Sequence, residues 1–284
     1  MKSNKLYFPF LLFACLCFFQ CNSPSAEQKS DSMAELTKDE GFRNAHETPE
    51  KIAFKGKGAM KEFPTPDGKT GKAYALAPAS ESDKYLFVIH EWWGLNDHIK
   101  QEAERLFKEL GNVNVLALDL YDGNVATQRD EASKFMQAVK PERCKAIISG
   151  ALDLVGDAGK VATIGWCFGG GWSLRSSILA GDKGAGCVMY YGIPVEKAAE
   201  LAPLKADILG IFAKKDKWIT DEVIGKFEGL TKATGKNFEV HWFDADHAFA
   251  NPSSPRYNEA AAQEANGLAL AFLREKLEVG KLGN

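Results

Sequence analysis

The chain has 284 residues, 45% of them hydrophobic and 26% charged, with a formal net charge of -3. That is ordinary globular composition, with enough apolar content for one sizeable core. No strongly basic face is implied, so nucleic acid is not an expected partner, and no internal repeat is visible.

The N-terminus reads as a targeting segment outside the fold. Met1 to Lys5 is short and basic, Leu6 to Phe19 is almost wholly apolar, and polar residues begin at Gln20. This run is too short for a comfortable transmembrane helix and right for a signal-peptide core. It closes on Phe18-Phe19-Gln20-Cys21-Asn22-Ser23, which resembles a bacterial lipoprotein signal. The resemblance implies lipidation at Cys21 and an extracytoplasmic, membrane-anchored protein. Cys15, which follows the small Ala14, is the alternative lipidation site, and a plain secretory signal is a third reading. Residues 22–58 are rich in Ser, Glu, Lys, Asp and Asn, with Phe42 and Phe54 the only Phe, Tyr or Trp among them. Such a stretch cannot bury enough apolar surface to fold alone. It is expected to be a polar, flexible tether, with part of it able to pack on a single domain over 59–284.

Six cysteines are present, and Cys15, Cys17 and Cys21 belong to the signal-like segment. The others, Cys144, Cys167 and Cys187, are odd in number, widely spaced and without a C-x-x-C pair. Neither a disulfide framework nor a zinc or other metal site is expected, and no cofactor is implied. Cys144 in a helical pattern and Cys187 in an apolar run read as small core residues.

From about residue 59, strand-like runs alternate with helical patterns. Short strands are predicted at 73–77, 85–90 and 113–118, with a helix over 97–110 capped by Asp97 and Gly111. Helical patterns follow at about 127–139 and 142–155, then a strand at 160–164. Further strands are predicted at 187–191, 208–213 and 238–243, and helices at 195–204, about 220–232 and about 257–277. Continuous apolar strands alternating with helices predict an α/β fold, a mostly parallel sheet covered on both faces. Ligands in such folds bind beyond the carboxyl ends of the strands.

Gly165-Trp166-Cys167-Phe168-Gly169-Gly170-Gly171 is the most informative stretch. It sits between the 160–164 strand and a helical pattern, the layout of a nucleophile elbow. The central residue of such a turn is strained, and its neighbours must be glycine where strand and helix cross. A thiol there lies near the free N–H groups of a helix start, which favours the thiolate. Three other loops follow strand ends: His90-Glu91-Trp92-Trp93-Gly94-Leu95-Asn96, Lys214 to Trp218, and Asp244 to Ala250. The order Cys167, Asp216, His247 is nucleophile, acid, base. The thiol needs the imidazole as base, and the imidazole needs a carboxylate to hold its tautomer. Asp221, Asp244 and Asp246 are rivals to Asp216. His241, within a strand, reads as structural, and His90 either lines the pocket or belongs to the core.

These pieces, together with Asp119-Leu120-Tyr121 and His247-Ala248-Phe249, resemble the dienelactone hydrolase family over about residues 70–275. The resemblance implies the α/β-hydrolase fold and a Cys-Asp-His triad acting on a small ester or lactone. By it, Cys167 attacks the carbonyl, His247 moves the proton, Asp216 orients His247, and Glu91 helps to activate the resting thiol. The oxyanion is then held by the backbone N–H groups of Phe168 and Trp92. Trp93, Tyr121, Trp166 and Trp218 are candidate substrate-binding aromatics. Family members acting on the dienelactone carboxylate use two arginines, and the matching positions here are Gly123 and Asn251. Neither can pair bidentately with a carboxylate, so dienelactone itself is not the expected substrate. Arg129 and Arg256 are the nearest guanidinium groups in sequence. Glutamine amidotransferases also place a Cys on such an elbow, but they need His-x-Glu, which His247-Ala248-Phe249 lacks. The alternative from another class is a surface-tethered binding protein with a catalytically degenerate hydrolase fold. No oligomeric state follows from the sequence.

Overall fold

The computed structural model describes Met1 and residues 32–280. The signal-like segment, with Cys15 and Cys21, lies outside the described residues. Among the described residues, no helix is long and apolar enough to cross a membrane.

The apolar runs become the strands of one sheet. These are β1 (Ala59–Pro64), β2 (Thr70–Leu76), β3 (Lys84–Ile89), β4 (Asn114–Leu118), β5 (Lys160–Trp166), β6 (Gly184–Tyr190), β7 (Asp207–Ala213) and β8 (Phe238–Phe243). Their order is β1-β2-β4-β3-β5-β6-β7-β8. β1 with β2 and β2 with β4 are antiparallel, and all other neighbours are parallel. Every residue of β5 after Lys160 is buried, because helices cover both faces of a parallel sheet. β1 has no counterpart in the sequence reading. Only its Phe63 is buried, so this edge strand shows neither an apolar run nor a clean alternation.

The helices are α1 (Ser32–Leu36), α2 (Glu40–Asn44), α3 (Asp97–Leu110), α4 (Arg129–Ala138), α5 (Pro141–Asp153), α6 (Phe168–Ala180), α7 (Ala198–Leu201), α8 (Asp221–Ala233) and α9 (Glu259–Lys276). α3 buries Ile99, Ala103, Leu106 and Leu110, the spacing of one helical face. Its N-cap is Asn96 rather than Asp97; the Asn96 side chain accepts from the Ile99 N–H at 3.1 Å. The helix expected over 195–204 shrinks to α7, four residues long. Pro194 and Pro203 bracket it, and each restricts helical backbone before and at its own position.

Part of the expected tether, residues 33–46, is packed on the domain. α1 packs against α4, and Met33, Phe42, Ala45 and His46 are buried. The segment is polar on average, but Met33, Ala34, Phe42 and Ala45 face inward. Burying a side chain the size of Phe42 stabilises such an arrangement by about 1.5–3 kcal/mol, which composition averages conceal.

The registers Ile89↔Gly165, Trp166↔Tyr190 and Ala213↔Phe243 bring the carboxyl ends of the central strands to one rim. The loops carrying Glu91, Cys167, Asp216 and His247 all leave from that rim.

Candidate active site

Cys167 sits between β5 and α6 with φ 55° and ψ -117°, a conformation that costs a non-glycine residue of order 1–3 kcal/mol. The crossing is tight enough to require glycine on both sides. A Cβ on Gly165 would collide with the Gly169 carbonyl, and one on Gly169 with the Ile89 carbonyl. The Cys167 N–H donates to the Tyr190 carbonyl at 3.0 Å, tying the bend to β6.

His247 follows β8 and is followed by Ala248, whose φ of 65° turns the chain back. Its Nδ1 donates to Asp216 Oδ2 at 2.6 Å, with both side chains fully buried. The other oxygen, Oδ1, accepts from the Trp218 and Ile219 N–H groups at 2.9 and 3.0 Å. Burial pushes the Asp216 carboxyl up, but His247 and these two amides outweigh it and hold the group below its usual range. The same carboxylate raises His247 against the opposing effect of burial. The rivals do not compete, since Asp221, Asp244 and Asp246 are exposed. His241 lies on β8 bonded to Glu239.

Cys167 Sγ and one nitrogen each of His247 and His46 lie within 4.8 Å of one another. Burial pushes the thiol up, with His247 and the Phe168 N–H opposing. The Phe168 N–H at the helix start favours the thiolate, as expected, but desolvation opposes it and prevails.

Glu91 is buried beside this group, and its carboxyl is pushed up to about 7, chiefly by burial, with His247 and Asn251 opposing. Asn251 Nδ2 donates to Glu91 Oε2 at 2.6 Å. The Asn251 carbonyl oxygen accepts from the Ser253 N–H and hydroxyl at 2.8 and 2.7 Å. His90 is committed internally. Its Nδ1 donates to the Glu91 carbonyl at 2.6 Å, and its Nε2 accepts from the Leu120 N–H at 3.2 Å. It is a core residue that braces the Glu91 turn.

The aromatics separate into two groups. Trp218 stands edge-on to His247 at 5.9 Å, and Trp92 packs on Trp93 at 5.0 Å. Tyr121 instead packs on His90 at 4.7 Å and on Phe168 at 5.3 Å, and Trp166 packs on Tyr190 at 5.5 Å. Asp119 is a turn residue whose carboxylate accepts from the Tyr121 and Gly123 N–H groups. Arg129 reaches Asn44 on the surface, while half-buried Arg256 is close enough to His46 to lower its pKa. Cys144 and Cys187 are buried core residues that form no disulfide.

Two residues that sequence reasoning passed over complete the site. The Phe42 ring lies 6.1 Å from that of His247 and 5.2 Å from that of Trp218. The His46 ring lies 5.3 Å from His247 and 4.6 Å from Trp92. With α2 seated there, Cys167 and His247 are each only 1% exposed. The signal that could have found them is a Phe four residues before the one His of an otherwise polar stretch.

An eight-stranded, mostly parallel sheet with a Cys elbow, a His after the last strand and its Asp after the preceding one defines an α/β-hydrolase. The sequence profile of the Dienelactone hydrolase family matches residues 72–277. The chain belongs to that family and is a hydrolase. It is 27% identical to carboxymethylenebutenolidase 1 of Cupriavidus pinatubonensis over 215 residues, covering 71% of this chain and 90% of the relative. It is 30% identical to a carboxymethylenebutenolidase of a Pseudomonas species over 227 residues, covering 74% and 92%. A solved dienelactone hydrolase-like promiscuous phosphotriesterase from metagenomic libraries shares the fold, with a TM-score of 0.67 at 22% identity, covering 78% of this chain and 99% of the other.

Proposed function

We propose that the chain is a cysteine-dependent hydrolase of small esters or lactones. One observation carries the reading: an imidazole beside a strained, elbow-borne thiol has its far nitrogen bonded to a buried carboxylate at 2.6 Å. With Nδ1–H given to Asp216, the Nε2 lone pair is free to take the thiol proton. The thiolate then attacks the ester carbonyl, and the backbone N–H groups of Phe168 and Trp92 receive the oxyanion, each such donor contributing on the order of 10²–10³ in rate. His247 returns the proton to the departing alkoxide, leaving a thioester on Cys167. Water, deprotonated by His247, hydrolyses that thioester and regenerates the thiol. Glu91, buried beside the triad, helps to activate the resting thiol as substrate enters. The carboxymethylenebutenolidase names of the relatives support a lactone or ester substrate. Gly123 and Asn251 supply no guanidinium, so the preferred acyl group is uncharged.

The test is hydrolysis of a panel of small aryl esters and lactones by the wild-type chain and Cys167→Ala. Loss of turnover together with loss of covalent labelling is the expected result. Full retained activity in Cys167→Ala would remove the assignment.

We also propose that a lipid on Cys21 holds the domain at an extracytoplasmic membrane face. The basic start, the apolar run and the polar residues after Cys21 support this. Metabolic labelling with a fatty-acid analogue, lost in Cys21→Ala, tests it.

A further inference from the structure

The polar atoms gathered at the elbow exceed what a hydrolytic triad uses. His46 comes from the segment after α2, Cys167 from the elbow and His247 from the loop after β8, and their ligating atoms converge within 4.8 Å. All three residues are buried.

Each imidazole is held in the tautomer a metal ligand needs. His46 Nδ1 meets the Phe42 carbonyl at 2.7 Å, and a carbonyl only accepts, so the ring donates there. His247 Nδ1 meets the Asp216 carboxylate at 2.6 Å in the same sense. Nε2 of both rings is therefore the nitrogen left to face a ligand; that of His46 is buried with no hydrogen-bond partner among the described residues, and that of His247 is buried and meets the Cys167 thiol. A histidine that donates its far N–H to a carboxylate or backbone carbonyl is the usual supporting arrangement at metal sites. The third donor is a sulfur, and thiolate with imidazole suits zinc and similar borderline-soft cations.

We propose that Cys167, His247 and His46 form a binding site for a thiophilic divalent cation, with Zn²⁺ as the test ion, that pins the N-terminal segment over the nucleophile. Bonds of about 2.0–2.3 Å around a tetrahedral ion place ligand atoms about 3.3–3.8 Å apart. The observed spread thus needs an inward movement of about 1 Å, within rotamer adjustment of three side chains. On binding, the Cys167 thiol proton passes to solvent and the sulfur gives an electron pair to the cation. Three protein ligands leave a fourth position for water. The occupied site withholds the sulfur and the His247 lone pair from any substrate, so the cation is a reversible inhibitor. The site was not visible as a motif, because its ligands are far apart in sequence and only one is a cysteine.

The test uses the full chain, reduced and stripped of metal, titrated with Co²⁺ as a spectroscopic probe and then with Zn²⁺. One Cys167-dependent equivalent is expected, with a sulfur-to-cobalt charge-transfer band and tetrahedral visible bands. Both vanish in Cys167→Ala. His46→Ala weakens Zn²⁺ binding by about tenfold or more, and His46→Cys, which keeps a ligand, restores it. Hydrogen exchange over residues 40–46 slows on adding Zn²⁺ to the wild-type chain and does not change in Cys167→Ala. Binding that persists in Cys167→Ala, or that is unmoved by His46→Ala, overturns the site. These readouts require no substrate, so they stand apart from the outcome of the ester panel.

Discussion

Asn251 donates to Glu91 at 2.6 Å across 160 residues of chain, and Ser253 holds the Asn251 amide the right way round to do so. The position where the family resemblance implies a carboxylate-binding arginine is thus turned inward, onto the enzyme's own acid. Asn251 lowers the Glu91 pKa against burial. Replacing it with Ala removes a hydrogen bond to a charged group, about 1.5–3 kcal/mol, which corresponds to roughly one unit or more. The acidic limb of the pH–kcat/KM profile should move upward by that amount in Asn251→Ala. An unmoved limb would show that Glu91 is not the group titrating.

Asp216→Asn should leave the backbone in place and cut kcat by about 10³–10⁴. The Trp218 and Ile219 N–H groups require an acceptor, so the new amide oxygen stays with them. The amide nitrogen must then face His247, which forces Nδ1 to accept and puts the ring proton on Nε2, towards Cys167. Thermal unfolding and kinetics measured together separate this effect from a loss of fold.

Phe42 closes the site from the N-terminal side. Phe42→Ala removes a buried aromatic, a change that costs about 3–5 kcal/mol in a packed core, here charged to the docking of α2. The rate of Cys167 alkylation by a small haloacetamide should rise at least about tenfold, while the main unfolding transition stays where it is. An unchanged alkylation rate would mean that access runs by another route.

His46 gives this docking a pH dependence. Burial, with His247 and Arg256 adding to it and Asp216 and the Phe42 carbonyl opposing, pushes it down to about 3. An undocked His46 has the ordinary value of about 6.5. The undocked form binds more protons between these values, so docking is fully present above about pH 6.5 and weakens as pH falls below it. The hydrogen-exchange protection factors of residues 40–46, corrected for the intrinsic rate at each pH, should fall between about pH 7 and pH 5, and His46→Gln should flatten that change.

Much of the site was legible in the sequence because each catalytic candidate follows a strand-like run, buried at β5 and partly exposed at β8. Gly165 and Gly169 announced the crossing at Cys167 by their spacing alone. Asp216 stood out from its rivals by lying nearer the end of β7 than Asp221 and apart from His247, which Asp244 and Asp246 adjoin. His90 stayed ambiguous until its two ring partners, Glu91 and Leu120, were in view, since neither bond leaves a trace in sequence. Phe42 and His46 were hidden in a polar stretch whose average composition argues for a tether. Asn251 was read only as a missing arginine, because its Glu91 partner lies on another loop.

The residue proposed as nucleophile, Cys167, occupies a backbone shape suited to having no side chain at all. Between two variants that both lack the sulfur, Cys167→Gly should therefore melt above Cys167→Ala, by about 1 kcal/mol of relieved crowding. That ordering inverts the usual penalty for glycine beside a helix. Here chemistry and durability pull in opposite directions at a single α-carbon, and the natural sequence has settled for chemistry.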